Sequence, residues 1–313
     1  MEGANVTVVT KFILVGLSDL PEVRFPLFLL FSLIYLATLA GNIIILIAIG
    51  TDVRLHSPMY FFLSNLSLLD ILCPTVTVPK MLDMFLWENK EISFAGCVMQ
   101  LYFFIDVVGT EILLLAVMAY DRYVAICHPL KYMVIMNKRL CAQLAAGTWI
   151  TGFLNSLLHT SFTFTLSFCG PNKVNQYFCD ISPVAALSCS STYASEMELL
   201  IVAGVLGSSA FVITLVSYIY IVFAILRMGS AKGRHKAFST CASHLTVVGL
   251  FYGTTIFTYV RPSSSYLPNE DRIVSMLYGI ITPMLNPMIY SLRNKEVKRA
   301  LRRVISQKIH SQE

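Results

Sequence analysis

The sequence predicts an all-α membrane protein, a bundle of seven transmembrane helices with the N-terminus outside and the C-terminus inside. Three observations carry this expectation. The chain has 313 residues, of which 56% are hydrophobic and only 13% charged, with a mean hydropathy of +0.69. A soluble domain usually carries about 25% charged residues. Seven stretches are long enough to span as helices, which need ~20 predominantly apolar residues to cross ~30 Å of hydrocarbon. Lysine and arginine also divide unequally between the two sets of connecting segments, and the richer set is expected in the cytoplasm.

The chain reads as one domain: an outer tail at 1–24, the helix bundle at 25–292 and an inner tail at 293–313. The tail contains no basic start, apolar core and small-residue cleavage site in succession, so the first span is expected to act as an uncleaved anchor. Asn5-Val6-Thr7 is an N-glycosylation sequon on that tail, whereas Asn65-Leu66-Ser67 lies inside a span, out of reach of the glycosylation machinery. The first span covers 25–50 and the second 57–80, interrupted by Asp70. The third covers 98–126 and closes on Asp121 and Arg122. Charges cost roughly 2.5–3.5 kcal/mol each inside a bilayer, so this pair belongs at a boundary or has a task there. The fourth span covers 140–163, and about 30 residues separate it from the fifth at 197–226. A loop of that length points to function.

The sixth span covers 237–260 and the seventh 273–292, where Asn286 and Pro287 interrupt the apolar run. Pro287 removes a helical hydrogen bond one turn before Tyr290, which supplies a hinge. In the inner tail, Val297, Leu301, Val304 and Ile305 recur at helical spacing among seven Lys/Arg. This pattern reads as an amphipathic helix lying on the inner leaflet, against the alternative of a solvated basic tail.

Sixteen of the 23 Lys/Arg fall on the side of Arg54, Arg122, Arg227 and the C-terminal tail, and seven on the other. The net charge of +5 reflects that inner face, and no other feature favours a nucleic-acid partner. Cys97, Cys169, Cys179 and Cys189 lie on the outer side, where they permit three disulfide pairings. Cys73, Cys127, Cys141 and Cys241 lie in spans or at the cytoplasmic face and read as free thiols. No metal-ligand spacing is present, the six histidines are scattered, and no cofactor is expected.

Helical geometry orders the third span. At about 100° per residue, Phe104 lies five full turns from Arg122, Glu111 falls within about 20° of the same stripe and Val108 within about 40°. Asp106 is about 160° away and is expected to meet a partner on a neighbouring helix rather than a ligand. Asp70 and Glu111 are acids near the middle of spans and are functional candidates on that ground. With Asn286 they can form an internal polar cluster that holds a cation or a proton, or a seam that only specifies packing.

Five long motifs then stand in order. They are Pro58-Met-Tyr-Phe-Phe-Leu-Ser-Asn-Leu-Ser-Leu-Leu-Asp70, Met118-Ala-Tyr-Asp-Arg-Tyr-Val-Ala-Ile-Cys-His-Pro-Leu-Lys-Tyr132 and Ser217-Tyr218. Lys236-Ala-Phe-Ser-Thr-Cys-Ala-Ser-His-Leu245 and Pro283-Met-Leu-Asn-Pro-Met-Ile-Tyr-Ser-Leu-Arg-Asn294 complete the set. The chain resembles, nearly end to end, a tetrapod-type odorant receptor of the rhodopsin-like G-protein-coupled family. That resemblance implies a small-molecule odorant as ligand and a stimulatory, olfactory-type G protein that raises cAMP. It also implies residence in the plasma membrane, in the cilia of olfactory sensory neurons. It pairs Cys97 with Cys179 and Cys169 with Cys189. It further implies that Arg122 pairs with Asp121 at rest and turns towards the G protein, Tyr218 and Tyr290 on activation, with Tyr123 completing the switch.

The outer halves of spans three, five, six and seven offer a pocket of Phe104, Ile105, Val108, Val202, Leu206, Tyr252, Ile256, Tyr259 and Met276. Tyr252, Ile256 and Tyr259 recur on one face of span six. These faces carry no acidic or basic residue, so the expected ligand is neutral and mostly apolar, held by tyrosine hydroxyls. The alternatives are a non-olfactory rhodopsin-like receptor and, more remotely, a transporter or channel, which would want a continuous polar path or repeated halves. A membrane enzyme would want a nucleophile–base pair or metal ligands within the spans, and none is recognisable.

Overall fold

The computed structural model describes residues 9–18, 20–169, 171–259 and 268–293, together with 297 and 299; the side chains of Tyr259 and Tyr290 are not among those described. Asn5 and the amphipathic segment expected beyond residue 293 lie outside the described residues.

Within that range the seven expected spans are helices. They are α1 (Pro21–Thr51), α2 (Pro58–Trp87), α3 (Phe94–Cys127), α5 (Lys138–Phe164), α7 (Tyr193–Leu226) and α8 (Ala231–Tyr259). The seventh is α9 (Pro268–Met276), a π turn at Leu277–Ile281 and α10 (Thr282–Arg293). Two short helices, α4 (Tyr132–Ile135) and α6 (Ile181–Ala185), lie in the connections.

Local chemistry sets the ends. Pro21 and Pro58 occupy first helical positions, where a missing N–H costs nothing. The Ser93 hydroxyl accepts from the Gly96 N–H to cap α3, and Asn137 Oδ1 accepts from the Leu140 N–H to cap α5. The π turn and Pro287 each interrupt the regular ladder of the seventh span.

Among the described residues, α1, α2, α3 and α7 are by themselves long and apolar enough to cross a bilayer. The other spans carry more polar side chains, such as Asn155 and His159 on α5. The outside of the bundle is apolar, with Leu33 66% exposed on α1 and Val205 61% on α7. Water would penalise such a surface, whereas hydrocarbon does not. The centre holds polar groups instead: Asp70, Glu111, His244 and Asn286 are all buried. α3 sits in the middle, packed against α2, α5, α7 and α8.

Part of the N-terminal tail is a strand. Lys11–Leu14 forms β1, paired antiparallel with β2 (Glu91–Ser93) and parallel with β3 (Lys173–Val174). Phe12 and Leu14 alternate inward and are fully buried, which ties the tail down. The three strands precede α1, follow α2 and follow α5, so zero, two and four spans come before them. A shared sheet therefore requires those crossings to return the chain to one side.

Both disulfides implied by the resemblance are present, Cys97–Cys179 and Cys169–Cys189, and Cys73, Cys127, Cys141 and Cys241 are free. Cys97–Cys179 closes a loop of 82 residues around α3 and α5. Loss of such a link typically costs 2–5 kcal/mol. Cys97→Ser is therefore expected to cut surface expression several-fold, measured by flow cytometry on intact cells, while Cys127→Ser, a free thiol, leaves it unchanged.

Candidate functional site

A cavity of about 380 Å³ lies between α3, α5, α7 and α8. α3 contributes Ile105 and Val108, and α8 contributes Tyr252 and Ile256, four of the nine residues expected. The Tyr252 hydroxyl donates to the Ile112 carbonyl oxygen at 3.1 Å, so it fastens α8 to α3. A second, smaller cavity of about 50 Å³ adjoins it at Gly109, Ile112, Asn155, Ala203 and Gly207, and Leu206 lines that one instead.

Phe104, Val202 and Met276 do not line the main cavity. Phe104 is 1% exposed because the long loop takes it up, its ring 4.6 Å from that of Phe178 and 6.0 Å from Tyr278. Val202 misses because α7 meets the cavity through Leu199, Ala203, Gly207 and Phe211, one face removed from the expected one. Met276 packs against the hydrophobic core. Tyr259 has its side chain outside the described residues.

The cavity wall also holds an ionisable residue, on a span outside the expected faces. α5, which sequence reasoning left out of the pocket, supplies Asn155 and His159. His159 Nδ1 lies 2.8 Å from Glu198 Oε2 of α7, with the two side chains 2% and 9% exposed. The available signal was two polar residues one turn apart inside an apolar span. The long loop forms the roof: Ile181 of α6 lines the cavity. The Cys179 N–H donates to Gln100 Oε1 at 2.9 Å, and the disulfide stands beside this bond.

Asp106 points away from the cavity. A Cβ built on Gly152 of α5 would sit 3.1 Å from Asp106 Oδ1, in keeping with the neighbouring-helix position expected from helical spacing.

Asp70 and Asn286 meet at the centre, where Asn286 Nδ2 donates to Asp70 Oδ1 at 2.8 Å. Glu111 is fully buried and neither of its carboxyl oxygens has a hydrogen-bond partner. A bare carboxylate so placed is costly unless a cation or proton accompanies it. Among the described residues, no group of three or more His, Cys, Asp or Glu gathers as a metal site. A cation here would rest on two carboxylates and an amide.

At the inner end, Arg122 is buried and does not form the ion pair with Asp121 that the resemblance implies. Neighbours in sequence on a helix point about 100° apart. Asp121 Oδ1 instead accepts from the Tyr132 hydroxyl of α4 at 2.8 Å. Burial, and the Asp121 carboxylate beside it, push the Tyr132 hydroxyl well above the ordinary phenol value, so it stays a donor. Tyr123 OH lies 3.2 Å from His128 Nε2. Tyr218 OH lies 2.6 Å from His244 Nδ1, which links α7 to α8. His244, read from sequence as one of the scattered histidines, is thus part of this end. Tyr290 has its side chain outside the described residues.

A sequence model described as "Olfactory receptor" matches residues 31–308. Curated proteins are similar over nearly the whole chain. Olfactory receptor 5A1 of Homo sapiens is 51% identical over 97% of this chain and 96% of its own length. Olfactory receptor 5F1 of Homo sapiens is 50% identical over 98% of each. Olfactory receptor 1f45 of Rattus norvegicus is 49% identical over 100% of each.

Proposed function

Because the chain belongs to the olfactory receptor family, we propose that it is a receptor for small, neutral, mostly apolar volatiles that activates a stimulatory, olfactory-type G protein and raises cAMP. As a member of that family it is a multi-pass membrane receptor for odorants that couples to a G protein, and not an enzyme. The finer reading is supported above all by the apolar cavity between α3, α5, α7 and α8. A site that is mostly apolar with a few polar groups suits a small neutral ligand. The plasma membrane of olfactory cilia, with the C-terminal segment against the inner leaflet, is the location this reading implies.

In this mechanism the ligand fills the space beneath the loop and changes how α7 and α8 pack on α3. Such a change reaches the inner end through Tyr252 and the Tyr218–His244 contact, since both couple α8 to its neighbours. Arg122, Tyr123, Tyr218 and Tyr290 then form the G-protein switch, with Asp121 held by Tyr132. Asp70, Glu111 and Asn286 would hold a sodium ion or shared proton whose loss accompanies switching; the unpartnered Glu111 carboxyl fits either.

The reading is tested with a cAMP reporter in cells expressing the chain, screened with neutral, cationic and anionic volatiles. Neutral odorants are expected to dominate the agonists by at least tenfold in potency. Agonism confined to amines or carboxylic acids would overturn the ligand class.

A further inference from the structure

We infer that His159, oriented by Glu198, is the specificity-determining group of the cavity and selects ligands that carry a hydroxyl. This inference rests on the odorant-receptor reading and names the ligand chemistry of that same site.

The cavity's hydroxyl protons are already committed. Tyr252 donates to Ile112, Ser208 donates to the Val205 carbonyl at 3.3 Å, and Thr255 donates to the Phe251 carbonyl at 2.8 Å. What these hydroxyls still present to a ligand is lone pairs. The remaining polar wall is α5. Of the Glu198 carboxylate, Oε1 is enclosed with no partner, and Oε2 meets His159 Nδ1 at 2.8 Å. A carboxylate only accepts, so Nδ1 carries the proton in that bond. In a neutral imidazole the other nitrogen is then a bare acceptor. Nε2 has no hydrogen bond among the described residues, and the side chain lines the cavity.

His159 therefore offers an acceptor where a ligand needs a donor, and the side-chain donor left on the wall is the Asn155 amide. An alcohol satisfies Nε2, whereas a ketone or aldehyde of the same skeleton puts lone pair against lone pair. Glu198 does not line the cavity and acts as a positioning residue, since it fixes which nitrogen bears the proton. Asn155 on the same wall is the competing polar group, its Oδ1 enclosed and unpartnered.

The experiment compares potencies in the cAMP reporter for skeleton-matched pairs: menthol against menthone, borneol against camphor, and octanol against octanal. One good hydrogen bond set against an unpaired buried acceptor corresponds to about tenfold. The expected result is a preference of about tenfold or more for the alcohol in each pair that activates.

His159→Phe, which keeps a ring without nitrogens, should bring the ratio to about one. His159→Gln, which returns an amide oxygen at similar reach, should restore part of it. Glu198→Ala should erode the ratio more than it lowers the response to the ketones, an effect that general destabilisation would not give. Asn155→Val, which removes the amide donor a ketone could use, should hold the ratio or raise it, and a fall to about one would assign the selection to Asn155 instead. Surface expression is matched throughout.

Equal potency within the pairs, a ketone preference, or an unchanged ratio in His159→Phe would overturn the assignment while leaving the receptor reading standing. A receptor at the surface that answers no volatile at all would instead remove the reading beneath it.

Discussion

Arg122→Ala is expected to reduce the agonist-evoked cAMP response to background while surface expression stays within about twofold of the parent. Arg122 lies buried at the inner end of α3, with its five donors in a low-dielectric setting beside the Tyr218–His244 pair. It sits one residue from Asp121, yet Asp121 is engaged by Tyr132. Its guanidinium is thus available to re-pair when α7 and α8 move. Alanine removes every donor, and the buried hydroxyl of Tyr218 keeps its bond to His244, so folding should survive. Arg122→Lys keeps the charge but not the planar fork and should retain only part of the signal. Full signalling by Arg122→Ala at equal surface density would exclude Arg122 from the switch.

Gly152→Val should remove most of the protein from the cell surface and lower its melting temperature in detergent. α3 and α5 approach closely here. A Cβ on Gly152 would overlap Thr110 Oγ1 and would stand 3.0 Å from the Asp106 backbone oxygen. The Thr110 side chain can rotate, but a helix backbone cannot yield locally, so the two helices must separate. Overpacking of this kind costs about 1–3 kcal/mol, a large share of the usual 5–15 kcal/mol of stability. Gly152→Ala is the milder test, because the helix-propensity gain of about 1 kcal/mol partly offsets the clash. Gly147, five residues earlier on the same helix, has nothing within 4 Å of an added Cβ. Gly147→Ala should therefore be neutral or stabilising, and an equal loss in both variants would refute the close-approach explanation.

The seven spans were legible because length and apolar composition are summed over many residues. The face of α3 was legible because Arg122 and Glu111 fall on one stripe of a mostly apolar helix and fix its phase. No such marker exists along most of α7, whose two acids, Glu196 and Glu198, lie in its first two turns and which carries no charge from Leu199 to Leu226. Val202 and Leu206 were accordingly placed about one residue's rotation from the face that meets the main cavity. Phe104 lay on the right stripe, but its neighbour is decided by the loop: Phe178 arrives there through a disulfide joining residues 82 apart. The wall at Asn155 and His159 carried its own signal, two polar residues at i and i+4 within α5, which a pocket built from four other spans passed over. The pairing of Asp121 with Arg122 was what the family resemblance implies, whereas helical geometry sends adjacent side chains apart and Tyr132 supplies a partner for Asp121. The tail strand had only four residues, too few for an alternating pattern to register.

The small sheet also constrains the order of assembly. β1 leaves the ribosome well before β3, because Ile13 pairs with Lys173, about 160 residues later. Closing so long a loop is entropically slow and must await its distant partner. The tail can meet β2 once the second span has been threaded, but its parallel partner follows only the fourth, so the completed sheet marks a bundle already more than half built. A chain stalled during insertion would display Phe12 and Leu14 uncovered, an apolar flag by which quality control could tell unfinished receptors from finished ones.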